Sequence, residues 1–426
     1  MDDAANPPSP SSQASSDSEF HPVLDACTYA KLEGERRQHN VSKGNLMTGC
    51  RELDEYVLLG GFERGSVVGV SAEGEEVALT IGLQTLARLL AKDSSAKATV
   101  VTTMPTTALL PKLHAALVGQ ICPLPGRPDV LQDRVKLCLE RISIARVFDL
   151  EGVAEVLEEL EHSGYIPYPR PLRARGKQRT EVQDSEDDES VSYAQPALGG
   201  SDSRPLPDIV LVTHMSALMS TLFTSRGKEF AHFFMGLLSD QLHCLTRYSD
   251  HSTPLFMLLN STSSPSSTHN HSDEHPTAMS IDGDDRHQRQ LDSTLRSIFN
   301  PPPSITIPGQ PQPGQKFNFV SSRRNKPSFG LVFSQMLDLH LLCTRLPRTR
   351  ADAAAVMAAS SPTGTAVAED RVSYVWAVEV LLDEIGVYER SWVDGSCDWG
   401  RRTNREQRWA AVDVDREGRV VNAFAS

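Results

Sequence analysis

The stretch from Thr48 to Leu90 decides the fold of this chain, and it reads TGCRELDEYVLLGG (48–61), FERG (62–65), SVVGV (66–70) and SAEGEEVALTIGLQTLARLL (71–90). Its glycine pair predicts the end of a helical turn, and the apolar run 66–70 predicts a short buried strand. After a loop over 71–76, leucines at helical spacing predict an amphipathic helix over Val77–Leu90. A strand, a loop and a helix in this order are typical of a parallel α/β sheet.

The same alternation continues through the rest of the chain. Apolar periodicity predicts further strands at Ala98–Thr103, Arg141–Phe148, Asp208–Thr213 and Pro254–Asn260. It predicts helices at Ala108–Val118, Glu151–His162 and Lys228–Arg247. The end of the chain differs, because strands follow one another directly at Tyr374–Leu382, Arg408–Val414 and Arg419–Phe424. We therefore expect a mostly parallel sheet flanked by helices, with an antiparallel C-terminal edge.

Composition predicts one core interrupted by polar insertions. Of 426 residues, 39% are apolar and 6% aromatic, below the usual values for a globular chain. We expect residues 1–43 to be a disordered tail with a short helix near 22–38, and residues 44–426 to be the core. Three polar stretches, 165–206, 261–328 and 347–370, bury too little apolar surface to offset their ordering entropy, so they are predicted to be mobile loops.

Charge and cysteine usage narrow the class of protein. The formal net charge of −13 argues against a globally basic surface that coats nucleic acid. Seven cysteines without a CxxC pair predict reduced thiols and no metal site, as in an intracellular protein. The sequence has neither a signal-peptide pattern nor the roughly 18 apolar residues of a membrane span. We expect a soluble intracellular protein with no membrane partner.

The opening stretch resembles a known family. Residues Thr48–Gly65 resemble the start of the RecA-like recombinase core, as in the eukaryotic strand-exchange recombinase and its paralogs, which begins TGC-x-x-LD-x-x-L-GGG-x-x-x-G. Further similar segments follow in the family's order, at Ala145–Asp149, Ile209–Val212 and Leu331–Leu342. The resemblance covers 44–426 without the insertions. It implies the RecA-like P-loop NTPase fold.

The phosphate loop departs from the family's pattern. A P-loop reads GxxxxGK[ST], since its backbone approaches phosphate, lysine neutralises charge and the hydroxyl binds Mg²⁺. Ala78 or Leu79 stands where lysine would be, and Thr80 alone could supply the hydroxyl. Glu73, Glu75 and Glu76 are expected to occupy the place that phosphate would fill. A carboxylate there satisfies the helix N-terminus, and each would repel phosphate by about 1–4 kcal/mol at contact range. The candidate residues of this degenerate loop are Ser71, Ala72, Glu73, Gly74, Glu75, Glu76 and Thr80.

Three further positions implied by the resemblance also lack the family's residues. Thr213, or His214 with a one-residue shift, stands at the Walker B aspartate. Met104 stands at the glutamate that polarises water, and Ser261 at the glutamine that senses the γ-phosphate. Together these changes predict a pseudo-ATPase with no catalytic residue, no cofactor and no metal. Binding of ATP and Mg²⁺ without turnover stays open.

Two basic groups are candidate DNA contacts. The first is Arg323, Arg324 and Lys326, near the point where the family's second DNA-binding loop closes. The second is Arg401 and Arg402, within a stretch (392–410) that interleaves tryptophans with arginines. Such a mixture suits single-stranded DNA, a protein interface, or a hairpin that packs its own tryptophans. A basic cluster at 170–179 suits a nuclear-localisation signal, a DNA-contacting arm or a solvated loop.

The sequence thus favours a non-catalytic recombinase paralog in the nucleus. It would act as an accessory or scaffold subunit in homologous recombination and DNA repair. Its partners would be recombinase or recombinase-paralog subunits, with DNA contacted directly or through them. Two alternatives stay open: a structural RecA-like subunit of an Elongator-type tRNA-modification complex, and a weak DNA-dependent ATPase with a rearranged nucleotide site.

Overall fold

The computed structural model describes residues 25–121, 128–163, 206–247, 253–262, 297–299, 325–359, 372–385, 387–390, 398–401 and 405–424. The helices are α1 (Ala26–Lys43), α2 (Glu75–Lys92), α3 (Thr106–Ile121), α4 (Pro128–Leu139), α5 (Leu150–Ser163), α6 (Met215–Ser225), α7 (Lys228–Arg247), α8 (Gly330–Ser334) and α9 (Arg350–Ala359). The strands are β1 (Val67–Ala72), β2 (Ala98–Thr102), β3 (Ile142–Arg146), β4 (Ile209–Val212), β5 (Leu255–Ser261), β6 (Leu339–Pro347), β7 (Tyr374–Asp383), β8 (Val387–Arg390), β9 (Asp398–Arg401), β10 (Trp409–Val414) and β11 (Val420–Asn422).

Nine of these strands form one sheet in the order β11-β10-β7-β6-β1-β5-β4-β2-β3. Strands β1 to β6 pair in parallel, whereas β7, β10 and β11 add antiparallel pairs beyond β6. Strands β8 and β9 pair separately as an antiparallel ribbon. The predicted fold class, α/β with a mostly parallel sheet and an antiparallel C-terminal edge, is confirmed.

Helices cover both faces of the sheet because its central strands are apolar on both sides. Every residue of β1, β2 and β4 is buried. On one face, Val68 and Val70 of β1 join the apolar stripes of α2 and α3. On the other face, Val67 joins those of α5, α6 and α7. Within the described ranges, no helix is long and apolar enough to cross a membrane.

The segment Thr48–Gly65, called the opening signature below, is held together by a buried carboxylate. Asp54 accepts hydrogen bonds from the Thr48 amide (2.8 Å), the Thr48 hydroxyl (2.9 Å) and the Gly49 amide (2.9 Å). The predicted helical turn here is a π-helical segment, Leu53–Val57. The buried Arg408 guanidinium donates to the Val57 carbonyl from both Nε (3.0 Å) and Nη2 (2.8 Å). The signature is therefore tied to the C-terminal strands.

Parts of the predicted insertions have described structure. Within 347–370, where a loop is predicted, residues 350–359 form α9. Its start is stabilised because the Asp352 carboxylate accepts from the Thr349 amide (3.0 Å), and alanines favour the helix that follows. Within 261–328, the Ser297 hydroxyl and the Ile298 amide both donate to Glu379 of β7. Much of the three insertions lies outside the described residues.

Candidate functional site

A cavity of about 180 Å³ lies where the parallel strands end. In open α/β sheets, ligands bind outside these carboxyl ends. The cavity is lined by the start of α2, by one residue of α3 and by residues that follow β2 and β4 or lie at the end of β5, namely Glu75, Glu76, Ala78, Leu79, Met104, Lys112, Thr213, His214, Leu259 and Asn260. The fold therefore brings together residues that the sequence assigns to the phosphate loop, the catalytic glutamate position and the Walker B position.

The mouth of the cavity is acidic. Glu75 and Glu76 lie in the first turn of α2, where carboxylates interact favourably with the helix dipole. Glu76 Oε1 lies 3.2 Å from Lys112 Nζ, and Glu75 Oε2 lies 3.6 Å from His214 Nε2. The Glu76 side chain is 88% exposed and the Glu75 side chain is 55% exposed, so both contacts are open to solvent and weak.

Glu73 points elsewhere, contrary to the expectation that it fills the phosphate position. Because Ala72 of β1 pairs with Cys343 of β6, the next residue continues along that strand. The Glu73 amide donates to the Cys343 carbonyl (3.2 Å), and Glu73 Oε2 accepts from the Arg345 amide (3.3 Å). Only Glu75 and Glu76 of the three predicted carboxylates line the cavity.

Gly74, the residue before α2, lies against an indole ring. A Cβ added at Gly74 would lie 3.1 Å from Trp376 Cη2, and Trp376 comes from the antiparallel strand β7. In a P-loop, glycine lets the backbone approach phosphate. Here the space beside Gly74 is taken by Trp376.

The floor of the cavity carries hydroxyl groups where a carboxylate would bind magnesium. The Thr213 hydroxyl, at the predicted Walker B position, donates to Thr102 Oγ1 (2.8 Å) and lies 2.7 Å from His214 Nδ1. His214 has a φ of 59°, an uncommon conformation for a residue other than glycine. The sharp turn after β4 thus directs the imidazole towards Glu75.

Asn260 supplies an unpaired acceptor that the motif comparison missed. Its side chain is only 2% exposed, and its Nδ2 donates to Ser71 Oγ (3.2 Å) and to the Ser328 carbonyl (3.0 Å). Its Oδ1 is buried with no hydrogen-bond partner among the described residues. Leaving a buried acceptor unpaired costs about 1–3 kcal/mol. The sequence signal that could have indicated this acceptor is a polar residue at the end of a buried strand.

A buried histidine supports the phosphate loop from below. His340 Nε2 lies 2.8 Å from the Ser71 hydroxyl, and Nδ1 lies 3.0 Å from the Ser334 hydroxyl. Complete burial lowers the pKa of His340 to about 3, so the ring is neutral near pH 7. The neighbouring Cys343 is equally buried, and desolvation raises the pKa of its thiol to about 12. Neither group is poised for acid–base or thiolate chemistry.

The residues of the cavity do not fit ATP and Mg²⁺. Ala78 and Leu79 are the two candidates for the lysine position, and both are apolar residues in the wall of the cavity. The Thr80 hydroxyl donates to the Glu76 carbonyl within α2 (2.8 Å). The volume of about 180 Å³ is also below the roughly 300–1,000 Å³ typical of small-molecule sites.

The candidate DNA contacts are only partly placed. Arg323, Arg324 and Arg402 lie outside the described residues, as does the Arg401 side chain, although Arg401 ends β9. Lys326 is exposed next to Asn325, whose amide donates to Thr344 Oγ1 (2.9 Å). Lys326 does not line the cavity. In the tryptophan–arginine stretch, Arg408 is buried and structural, so it is not available for DNA.

No protein-family model matches the chain, and no curated protein matches it. The crystal structure of the RadB recombinase is similar, with 12% identity and a TM-score of 0.41 over 89% of this chain and 100% of that chain.

Proposed function

We propose that this chain is a non-catalytic RecA-type recombinase paralog, an accessory or scaffold subunit of homologous recombination and DNA repair in the nucleus. One observation carries the proposal. The cavity at the phosphate-loop position is retained, but it is lined by Glu75 and Glu76 and by apolar residues where lysine would be. A fold that is kept without the residues for phosphate chemistry favours a function in which its surfaces bind other proteins.

The lining residues argue against turnover as the function. Phosphoryl transfer depends almost entirely on positioning and on neutralising negative charge. Glu75 and Glu76 add negative charge at the mouth, and the Met104 and Thr213 side chains add no carboxylate for water or metal. The proposed role is therefore that of a subunit that binds other proteins.

The proposed partners are recombinase or recombinase-paralog subunits. The net charge of −13 favours contact with DNA through such a partner over a broad basic surface of this chain. Direct contact would need a local patch, for which Lys326 is the candidate in the described part of the chain.

Affinity purification of the full chain with mass spectrometry, with and without DNA damage, tests this proposal. We expect recombinase or paralog subunits to co-purify from a nuclear extract, and the yield to increase after damage. Recovery of tRNA-modification subunits instead would contradict the proposal and favour the Elongator-type alternative.

An ATPase assay tests the catalytic alternative. We expect no Mg²⁺-dependent turnover above a blank preparation, with or without single-stranded DNA. Turnover abolished by Thr80→Ala would contradict the proposal. Thr221→Ala is the matched control, because its hydroxyl makes the same bond one turn back, to the Ala217 carbonyl (3.0 Å).

A further inference from the structure

We propose that the acidic cavity is a receptor for a guanidinium group, supplied by an arginine side chain of a partner protein. This inference rests on the proposed function only in taking a protein as the source of the group. The binding chemistry follows from the acceptors and walls of the cavity itself.

The cavity offers hydrogen-bond acceptors at both its mouth and its floor. At the mouth, Glu76 Oε1 lies 3.2 Å from Lys112 Nζ and Glu75 Oε2 lies 3.6 Å from His214 Nε2. Within the described part of the chain, the other oxygen of each carboxylate accepts no hydrogen bond. At the floor, Asn260 Oδ1 is buried and unpaired. These groups are complementary to a ligand with several donors and positive charge.

A guanidinium fits this arrangement better than an ammonium. It is planar, weakly hydrated and carries five N–H donors, so it can pair with carboxylates while its faces contact apolar walls. Leu79, Met104 and Leu259 provide such walls. The volume of about 180 Å³ suits one side-chain head group rather than a nucleotide.

A pair of small probes tests the binding chemistry on the purified full chain. N-acetyl-arginine amide is compared with N-acetyl-citrulline amide, which has nearly the same shape but no charge, by ligand-observed NMR titration. We expect saturable binding of the arginine probe and binding of the citrulline probe weakened by about tenfold or more, because charge-assisted hydrogen bonds are lost. Equal binding of both probes, or no saturable binding, overturns the proposal.

Near-isosteric variants locate the site. The double variant Glu75→Gln with Glu76→Gln should weaken arginine-probe binding by about tenfold or more, since it removes both carboxylates. Glu73→Gln on the same loop is the matched control and should leave binding unchanged, because Glu73 faces β6. Equal losses of probe binding in the double variant and in Glu73→Gln would overturn the proposed location. Displacement of the probe by Mg²⁺ alone would assign the carboxylates to a metal and overturn the proposal.

The same double variant distinguishes the source of the guanidinium. We expect it to capture less partner in the affinity purification than the natural chain and the Glu73→Gln control do. Unchanged capture with impaired probe binding would point to a free guanidinium compound and overturn a protein source. If capture depends on Glu75 and Glu76 but the partner is not a recombination protein, the cavity inference stands and the proposed function fails.

Discussion

The His340 ring is enclosed in the sheet between the hydroxyl groups of Ser71 and Ser334. A ring in such a position stays neutral over most of the pH range. The ring links β1, β6 and α8 directly beneath the phosphate loop. Protonation would place a charge in a site without solvent or a carboxylate partner, and burial lowers its pKa to about 3.

The stability of the protein should therefore depend on pH through His340. Its pKa lies below the ordinary value of 6.5, so the unfolded chain binds the proton more readily and stability falls as pH decreases from 6.5 towards 3. Between pH 7 and pH 5 this contribution amounts to about 2 kcal/mol. His340→Gln should remove that part of the pH dependence, measured by urea unfolding at both pH values.

Two results check this interpretation. His114→Gln, on the exposed side of α3, serves as the control for the loss of one histidine and should retain the natural pH dependence. If His340→Gln changes stability equally at pH 7 and pH 5, the buried ring is not the titrating group.

At the scale of elements, the close approach of β1 to α8 depends on a glycine. A Cβ at Gly69 would lie 2.9 Å from Phe333 Cε1 and closer still to Leu337 Cδ1, both in the core. Such overpacking displaces well-packed side chains. The strand and the short helix can therefore pack at this distance only without a side chain at position 69.

Gly69→Ala is expected to destabilise the fold by about 1–3 kcal/mol. Gly236→Ala is the matched control: an added Cβ there meets no atom within 4 Å, and alanine should stabilise α7 by about 0.5–1 kcal/mol. Denaturant midpoints of the two variants should move in opposite directions. A shift of both midpoints in the same direction would contradict the packing argument.

Local periodicity made most elements predictable. Helix α7 has the predicted bounds Lys228–Arg247, and β1 and β5 lie within one or two residues of the predicted strands. Helix α9 was not predicted, because its alanine-rich sequence has no strong apolar stripe and its start depends on a capping contact. Periodicity reports burial along one element, whereas capping depends on single side chains.

The candidate site was predictable in position but not in detail. The order of strands located Glu75, Met104 and Thr213 near one another, since parallel strands end at the same edge. The contribution of Trp376 beside Gly74 was not predictable, because it depends on the packing of β7, some 300 residues later in the chain. The direction of Glu73 was missed for the same reason, as it follows from pairing with β6.

At the scale of the whole molecule, Gln84 joins the two ends of the core. From α2, its Nε2 donates to the Thr48 carbonyl (2.8 Å) and to the Val420 carbonyl (3.1 Å), while its Oε1 accepts from the Val420 amide (2.7 Å). Asn422 adds a second link, since its Oδ1 accepts from the Glu52 amide (3.1 Å). The opening signature and the last strand thus form one buried polar junction.

Gln84→Leu should destabilise the protein by about 3 kcal/mol or more, because it leaves the Val420 amide and two carbonyls buried without this partner. Thermal unfolding of the full chain measures the effect. Gln335→Leu, at an exposed position, should change stability by less than about 0.5 kcal/mol. Comparable effects of the two substitutions would show that the junction contributes little.

The position of β1 at the centre of the sheet has a consequence for synthesis of the chain. Both of its neighbours are made much later: Ser71 contacts Asn260 across 189 residues, and Glu73 contacts Arg345 across 272. At roughly 5–20 residues per second, the ribosome takes roughly 10–40 s to bring β5 alongside β1. Throughout that interval a strand that is fully buried in the folded protein is without its partners, so we expect the nascent chain to bind chaperones that hold exposed strands.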